Sequence, residues 1–454
     1  MAETENNNSS NIETGAKKKA IRRKRSTNNG QAVYIIDGSR TPQLKARNKP
    51  GPFRAAELAI GCGRPLLARQ PFEPDAFDEV IMGCVMPGPD EVNIGRVISL
   101  RLGCGNRVPG WTVQRNCASG MQALDCATRN IRSGQADLVL AGGVEAMSHA
   151  PILFSTAMAT WLGAWATAKT LPLRLKTLGQ LRPAYFKPII GLLCGLTDPV
   201  VGLSMGQTAE NLAYRFNISR EEMDTYAVRS HQRLAEAVEQ GHLSEIETLY
   251  DTRGKIYSHD DGLRTDSSVE KLAKLRPVFD RPFGAVTAGN SAQITDGAAM
   301  LILASETAVK KHGLTVRGEI RDCHWAGLDP AQMGLGPVHA ITPMLKKKRL
   351  KLDDIDYWEI NEAFAAQVIA CLRAWEDSDY CKQELDLKTA FGSLDQERLN
   401  IDGGGVSLGH PVGASGARIV LHLLSVLERK QAKRGIASLC IGGGQGGAML
   451  IERG

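Results

Sequence analysis

The chain has 454 residues, 43% of them apolar. That is more core than one ordinary domain holds, so two or three lobes are expected and a small binding module is excluded. The formal charge of +6 is modest and gives no support to nucleic-acid binding, and ten cysteines without CxxC spacing argue for reduced thiols in a cytoplasm over a zinc site or disulfide framework.

Residues 1–30 are Asn/Ser-rich and nearly free of apolar side chains, with cations at Lys17-Lys18-Lys19 and Arg22-Arg23-Lys24-Arg25. Such a segment cannot repay the entropy of ordering, so a disordered basic tail is expected. An arm drawn to polyanions or membranes is the alternative. No apolar run follows the basic cluster, which argues against a secretory leader.

Beyond the tail, the 47 glycines cluster in short runs beside strand-like segments, as where backbone packs on ligand or on other backbone. Asn116-Cys-Ala-Ser-Gly120 leads into a helical run through Ile131, then a strand Asp137–Ala141, Gly142-Gly143 and Met147. Gly413-Ala-Ser-Gly416 leads into a helix through Leu427, then a strand Ile436–Cys440, Gly442-Gly443-Gly444 and Met449. Both read as loop, helix, strand, glycine turn, strand. Two similar α/β/α halves follow, with a site where the matched loops meet.

Between them Ala150–Ala168 is uncharged and places Phe154, Met158, Trp161, Leu162 and Trp165 on one helical face. Lys169, Arg174 and Lys176 follow, then the apolar run Pro188–Leu196. Two readings stand: a helix pair packed on the main body, or an interfacial hairpin touching lipid or another subunit. Ser219-Arg-Glu-Glu222 has the pattern of a capping box opening a charged helix to Glu239.

Four residues could carry chemistry. Cys117 stands at a helix start, where free N–H groups and the helix dipole favour a thiolate and lower its pKa. His410 lies in a loop of small residues, Asp402 to Gly416, and an imidazole is the usual activator of a thiol. Cys440 ends a strand before three glycines, whose N–H groups can face an oxyanion and whose neighbouring thiol can pass a proton. Asn361-Glu362 follows the apolar strand Tyr357–Ile360 and could hold a water or orient the histidine. Gly442-x-Gly444-x-x-Gly447 also fits a dinucleotide-binding pattern. That pattern needs a helix next, and the apolar run Ala448–Ile451 stands there instead.

The set Asn116-Cys-Ala-Ser-Gly120, Asn361-Glu-Ala-Phe364, Gly409-His-Pro-Val-Gly413 and Cys440-Ile-Gly-Gly-Gly444, in this order, resembles the thiolase family from Gln31 to Gly454. Leu203–Leu212 and Thr287–Ala298 add to the match. The resemblance implies a layered α/β/α/β/α fold, with residues 31–147 and 285–310 as the first half, 148–284 as a loop domain over the site, and 311–454 as the second half. It implies that Cys117 carries the acyl group, His410 takes its proton, Cys440 acts as acid and base, and Asn361 holds a water in one oxyanion hole. The N–H groups of Cys117 and Gly442 would form the other. Arg264, Met205, Phe279, Ala292, Met333 and Phe364 would line the coenzyme A and substrate channel. Two features depart from the family: Ala292 stands near a usual serine, and Asn361 stands where thiolase subunits of fatty-acid-oxidation complexes often carry histidine.

The apolar stretch 151–201 resembles the covering loop of those subunits, some of which are membrane-associated. The function implied is thiolysis of 3-ketoacyl-CoA in β-oxidation, with coenzyme A as substrate and no resident cofactor or metal. Acetoacetyl-CoA chemistry alone is the alternative. A lipid-binding relative would lack one of Cys117, His410 and Cys440, and condensing enzymes acting on carrier proteins pair one cysteine with two histidines. Expected partners are a homodimer or homotetramer, a hydratase/dehydrogenase subunit, and a cytoplasmic membrane face met by residues 150–200.

Overall fold

The structure, a computed structural model, describes residues 30–47 and 49–454. The expected basic tail lies outside the described residues, apart from Gly30. The main strands are β1 (Tyr34–Arg40), β2 (Glu79–Gly83), β3 (Gly110–Val113), β4 (Leu138–Ala146), β5 (Thr295–Ala304), β6 (Gly318–Gly327), β7 (Tyr357–Ile360), β8 (Arg434–Ile441) and β9 (Gln445–Arg453). They run in the order β7-β8-β9-β6-β1-β5-β4-β2-β3, and the short strand Leu44–Lys45 pairs with β5. The β6–β1 junction is thin, with Tyr34 opposite Glu319 and Ile35 opposite Gly318. On either side of it one pattern repeats. β1-β5-β4-β2 matches β6-β9-β8-β7, with antiparallel inner pairs and a parallel outer pair.

Strand side chains alternate between two apolar clusters, the mark of a sheet buried on both faces. In β4, Leu138, Leu140 and Val144 face one cluster, and Val139 and Ala141 the other. In β8, Ile436 and Cys440 face one, and Ala437, Leu439 and Ile441 the other. The longer helices of the layers are α1 (Ala55–Ala68), α2 (Ser119–Arg132), then, beyond the inserted region, α7 (Gly336–Lys348), α8 (Ala365–Glu376) and α9 (Ser415–Arg429). α2 and α9 lie together in the middle, and α9 touches strands of both halves. Leu58 and Leu66 of α1 cover the outer face of the first half, and Val338 and Ile341 of α7 that of the second. The result is the expected α/β/α/β/α stack.

One expectation is corrected. The first half has no glycine turn, because β4 runs straight through Gly142 and Gly143 to Ala146. Its antiparallel neighbour is β5, which pairs Gly142 with Met300 and Gly143 with Ala299. In the second half β8 turns directly into β9 through Gly443 (φ +91°) and Gly444 (φ +71°). The long insertion therefore occupies the place of a hairpin turn.

The insertion contains α3 (Thr156–Thr167), α4 (Leu171–Gly179), α5 (Met205–Arg215) and α6 (Arg220–Glu239). α5 and α6 dock through Leu212 and Met223 on the core of the second half. Ser219 caps α6 reciprocally with Glu222, as expected. α3 and α4 form a hairpin joined by Trp161 Nε1 donating to the Thr177 carbonyl at 2.8 Å, with the Trp161 and Trp165 rings stacked at 5.8 Å. Met158, Ala168 and Thr177 are its buried residues, while Leu162, Trp165 and Leu171 are exposed. The packed-pair reading is thereby overturned for this hairpin. Among the described residues no helix is long and apolar enough to cross a membrane.

Candidate active site

Asn116 precedes Cys117 in the left-handed region (φ +43°), which asparagine tolerates. The turn is pinned by Ser119 Oγ, which donates to the Asn116 carbonyl at 2.7 Å and accepts from Arg115 N–H at 2.9 Å. Asn116 Nδ2 donates to the Gly442 carbonyl at 2.8 Å, tying the first half's loop to the matching loop of the second. The backbone N–H groups of Gly442 and Cys117 favour the Cys117 thiolate. Burial nevertheless pushes this thiol up, the two N–H groups offset part of that, and the Glu145 charge adds to it. The expected lowering by the helix start is not met: α2 begins at Ser119, two residues on, and burial is the largest influence on the thiol, upward.

His410 is set by close backbone packing. A Cβ on Gly143 would collide with the Gly413 carbonyl, so only glycine lets the His410 loop seat on β4. Ser415 Oγ donates to the Pro411 carbonyl at 3.1 Å and lies 2.6 Å from His410 Nδ1. With Ser415 Oγ accepting there, Nδ1 can carry the proton. Nε2 is buried without a protein partner. Burial, and then the Arg418 charge, push His410 down to about 4, so it is neutral near pH 7. Asn361 Nδ2 lies 3.5 Å from His410 Nδ1, and Asn361 Oδ1 is buried without a partner. A water bound there would have an acceptor waiting.

Cys440 is buried, and its thiol is pushed well up, first by burial and then by the charge Cys117 carries when ionised. The two sulfurs are therefore close enough to feel one another. Phe364 and Met333 share the Cys440 cluster, and Met205 and Phe279 pack against it. Phe279 meets Phe364 edge-on at 6.0 Å. A Cβ on Gly442 would stand 3.1 Å from Met205 Sδ, which places that thioether beside the sulfur-binding N–H. Met333 is 3% exposed and lies beneath the wall. Ala292 N–H donates to the Ala363 carbonyl at 2.9 Å. The adjacent Ser291 hydroxyl is turned back to the Thr287 carbonyl at 2.6 Å, so it does not replace the usual serine.

Arg264 sits apart at the rim, exposed, with its N–H donating to His231 Nδ1 at 3.2 Å. Burial, Arg264 and Arg47 together push the Lys45 ammonium down, so three cations share this rim. Lys45 and Arg47 were not singled out from the sequence, because they lie far from Arg264 along the chain and in no motif. Ser415 was also missed as the partner of His410, although its place in the small-residue loop was a signal. Among the described residues no cluster of His, Cys, Asp and Glu could hold a metal ion.

Comparison with known proteins identifies the family. Residues 33–307 match the thiolase N-terminal domain and 303–453 the thiolase C-terminal domain. The β-ketoadipyl-CoA thiolase of Pseudomonas aeruginosa is 39% identical, over 93% of this chain and 99% of its own. The 3-ketoacyl-CoA thiolase of Yersinia enterocolitica is 35% identical, over 94% and 98%. The crystal structure of human mitochondrial 3-ketoacyl-CoA thiolase in complex with CoA superposes with a TM-score of 0.80 at 35% identity, covering 93% of this chain and 98% of that one. That of the Bacillus anthracis acetyl-CoA acetyltransferase does so at 0.80 and 38%, covering 94% and 100%. The chain belongs to the thiolase family and is an acyltransferase of that family.

Proposed function

We propose that this protein cleaves 3-ketoacyl-CoA with coenzyme A in fatty-acid β-oxidation, through an acyl group carried on Cys117. The observation that carries the reading is the junction of matched loops. The Cys117 thiolate is favoured by the N–H groups of Gly442 and Cys117 and its charge raises the Cys440 thiol, while the His410 loop packs through the Gly413 carbonyl on Gly120, at the start of the Cys117 helix. His410 Nε2 takes the Cys117 proton, and the thiolate attacks the 3-keto carbon. The C2–C3 bond breaks. The electron pair passes to the acetyl-CoA enolate, whose oxygen is held by His410 and an Asn361-bound water, and Cys440 protonates C2. Cys440 then draws the proton from incoming coenzyme A, whose thiolate takes the acyl group, and Cys117 recovers its proton from His410. The oxyanion of each tetrahedral adduct on Cys117 meets the N–H groups of Cys117 and Gly442. Arg264, Lys45 and Arg47 at the rim suit the phosphates of coenzyme A.

The wall of Met205, Phe279 and Phe364 favours an unsubstituted acyl chain, since a terminal carboxylate would be desolvated there without a partner. Acetoacetyl-CoA alone is the second reading. The test is thiolysis across a 3-ketoacyl-CoA chain-length series. Turnover extending to medium and long chains is expected. Turnover of the four-carbon substrate alone moves the assignment to an acetyl-CoA acetyltransferase, and silence from folded protein overturns both.

The α3–α4 hairpin fits the anionic face of a membrane. Most of the large exposed apolar side chains of the described residues lie between Ile152 and Val200. Between Ala150 and Thr197 every charged residue is a cation, namely Lys169, Arg174, Lys176, Arg182 and Lys187, and all five are exposed. Apolar side chains interleaved with cations match acyl chains beneath anionic headgroups.

A further inference from the structure

Glu362 follows Asn361 in the chain and is buried, yet the mechanism above does not use it. Its Oε1 accepts from Tyr226 Oη at 2.9 Å and Asn400 Nδ2 at 3.0 Å. Its Oε2 accepts from Ser230 Oγ at 2.7 Å and Val406 N–H at 3.2 Å. Four neutral donors from three segments thus converge on one carboxylate, which fills its acceptor positions. Tyr226 and Ser230 belong to α6, Asn400 holds the end of β7 through the Ile360 N–H and carbonyl, and Val406 lies on the chain leading to His410. A Cβ at Gly404 would collide with the Glu362 carboxyl, so the two are in direct packing contact.

We propose that Glu362 is a positioning residue: its carboxylate locks the Asn361 turn and the approach to His410 onto α6, and so fixes the oxyanion site those two residues form. This rests on the site reading above. α6 is suited to be the reference element because it also holds other walls of the site. Asp224 accepts from Asn290 Nδ2 at 2.9 Å, and Asn290 in turn accepts from Ala365 N–H at 2.9 Å. His231 accepts the Arg264 N–H. Burial and the charge of Glu362 push the Tyr226 phenol well up, so Tyr226 stays a donor. An amide in place of the carboxylate would aim N–H at donors and leave at least one buried pair unmade.

The test is Glu362→Gln in the full chain. Displacement of catalytic groups by a fraction of an ångström predicts a kcat for thiolysis lowered about 100-fold, with KM for both substrates within about twofold of wild type. Tyr226→Phe with Ser230→Ala removes the α6 donors but keeps the carboxylate. It should lower kcat by a smaller factor, and combining it with Glu362→Gln should give less than the product of the two effects. Folded Glu362→Gln with wild-type kcat, or with a raised KM alone, overturns the proposal. Should Glu362→Gln fail to fold, wild-type kcat in the Tyr226/Ser230 variant overturns it instead, and a selective loss of kcat supports it. An inactive wild type sinks the thiolysis reading and this proposal together, whereas an active wild type with indifferent variants sinks this proposal alone.

Discussion

Cys117 holds its proton near neutrality because burial costs a thiolate more than two N–H groups return. As the proposed nucleophile it needs a base, and His410 offers a neutral imidazole whose Nε2 has no protein partner. Proton transfer between a raised thiol and a lowered imidazole is uphill in isolation. It becomes feasible as the thiolate and imidazolium stabilise each other while substrate excludes water. On the same proposal Cys440, also protonated, is left as the acid of the carbon–carbon step. Cys117→Ala should abolish thiolysis. Cys440→Ala should slow it about 100- to 10,000-fold, the usual worth of a positioned acid or base. Acyl transfer from a simple acyl-CoA to Cys117, read by intact-protein mass spectrometry, should be slowed less in the Cys440 variant, because a coenzyme A thiolate leaves with less help from an acid than an enolate carbon needs. Equal loss of both half-reactions would take the carbon-acid role from Cys440. These residue identities were legible because small-residue loops around Cys117, His410 and Cys440 mark backbone that approaches a ligand. The direction of the Cys117 shift was not, because it depends on how much protein the loops of both halves stack over the sulfur.

At the scale of elements, the α3–α4 hairpin shows what periodicity leaves open. An apolar face at helical spacing says that something covers it, not what. Met158 turns inward while Leu162 and Trp165 stay exposed, so little of this face is covered by the chain itself. The reading as a lipid-facing element predicts co-sedimentation with vesicles containing about a third anionic phospholipid, weakened by salt. Binding to neutral phosphatidylcholine should be much weaker. Lys169→Gln with Arg174→Gln and Lys176→Gln should lower vesicle binding, at about 1 kcal/mol per cation removed, while thiolysis of a short soluble substrate stays unchanged. Equal binding to neutral and anionic vesicles, or none, overturns the reading. The missing hairpin after β4 was illegible for a related reason. The glycines were visible, but the strand that pairs with them arrives only after the whole insertion.

Across the whole molecule, the repeat was legible because each half spells its central helix and strands with the same small-residue pattern. What joins the halves and the insertion was not, because it is a buried charge network whose members share no motif. His422 of α9 lies between Glu245 of the insertion, at 2.9 Å, and Asp402, at 3.1 Å. Glu245 also pairs with Arg40 of β1 at 3.2 Å, and Asp402 with Arg429 at 2.6 Å. Burial alone would push the imidazole down, but Glu245 and Asp402 overcome it and raise His422 to about 10. A group held above its unfolded value of about 6.5 stabilises the fold fully below that pH, and the contribution is lost as pH rises through the folded value. Glu245 behaves oppositely. Burial is outweighed by His422 and Arg40, it is held down to about 2, and its contribution is lost as pH falls toward that value. The network is therefore strongest between the ordinary carboxylate and imidazole ranges. His422→Leu should cost about 3–5 kcal/mol at pH 6, the range for removing one partner of a buried ion pair. The gap between wild type and variant in urea midpoint should narrow at pH 10, where wild type is losing the same proton. A gap that stays constant from pH 6 to pH 10 would mean that His422 joins the three parts of the chain as a neutral ring, by packing and not by charge.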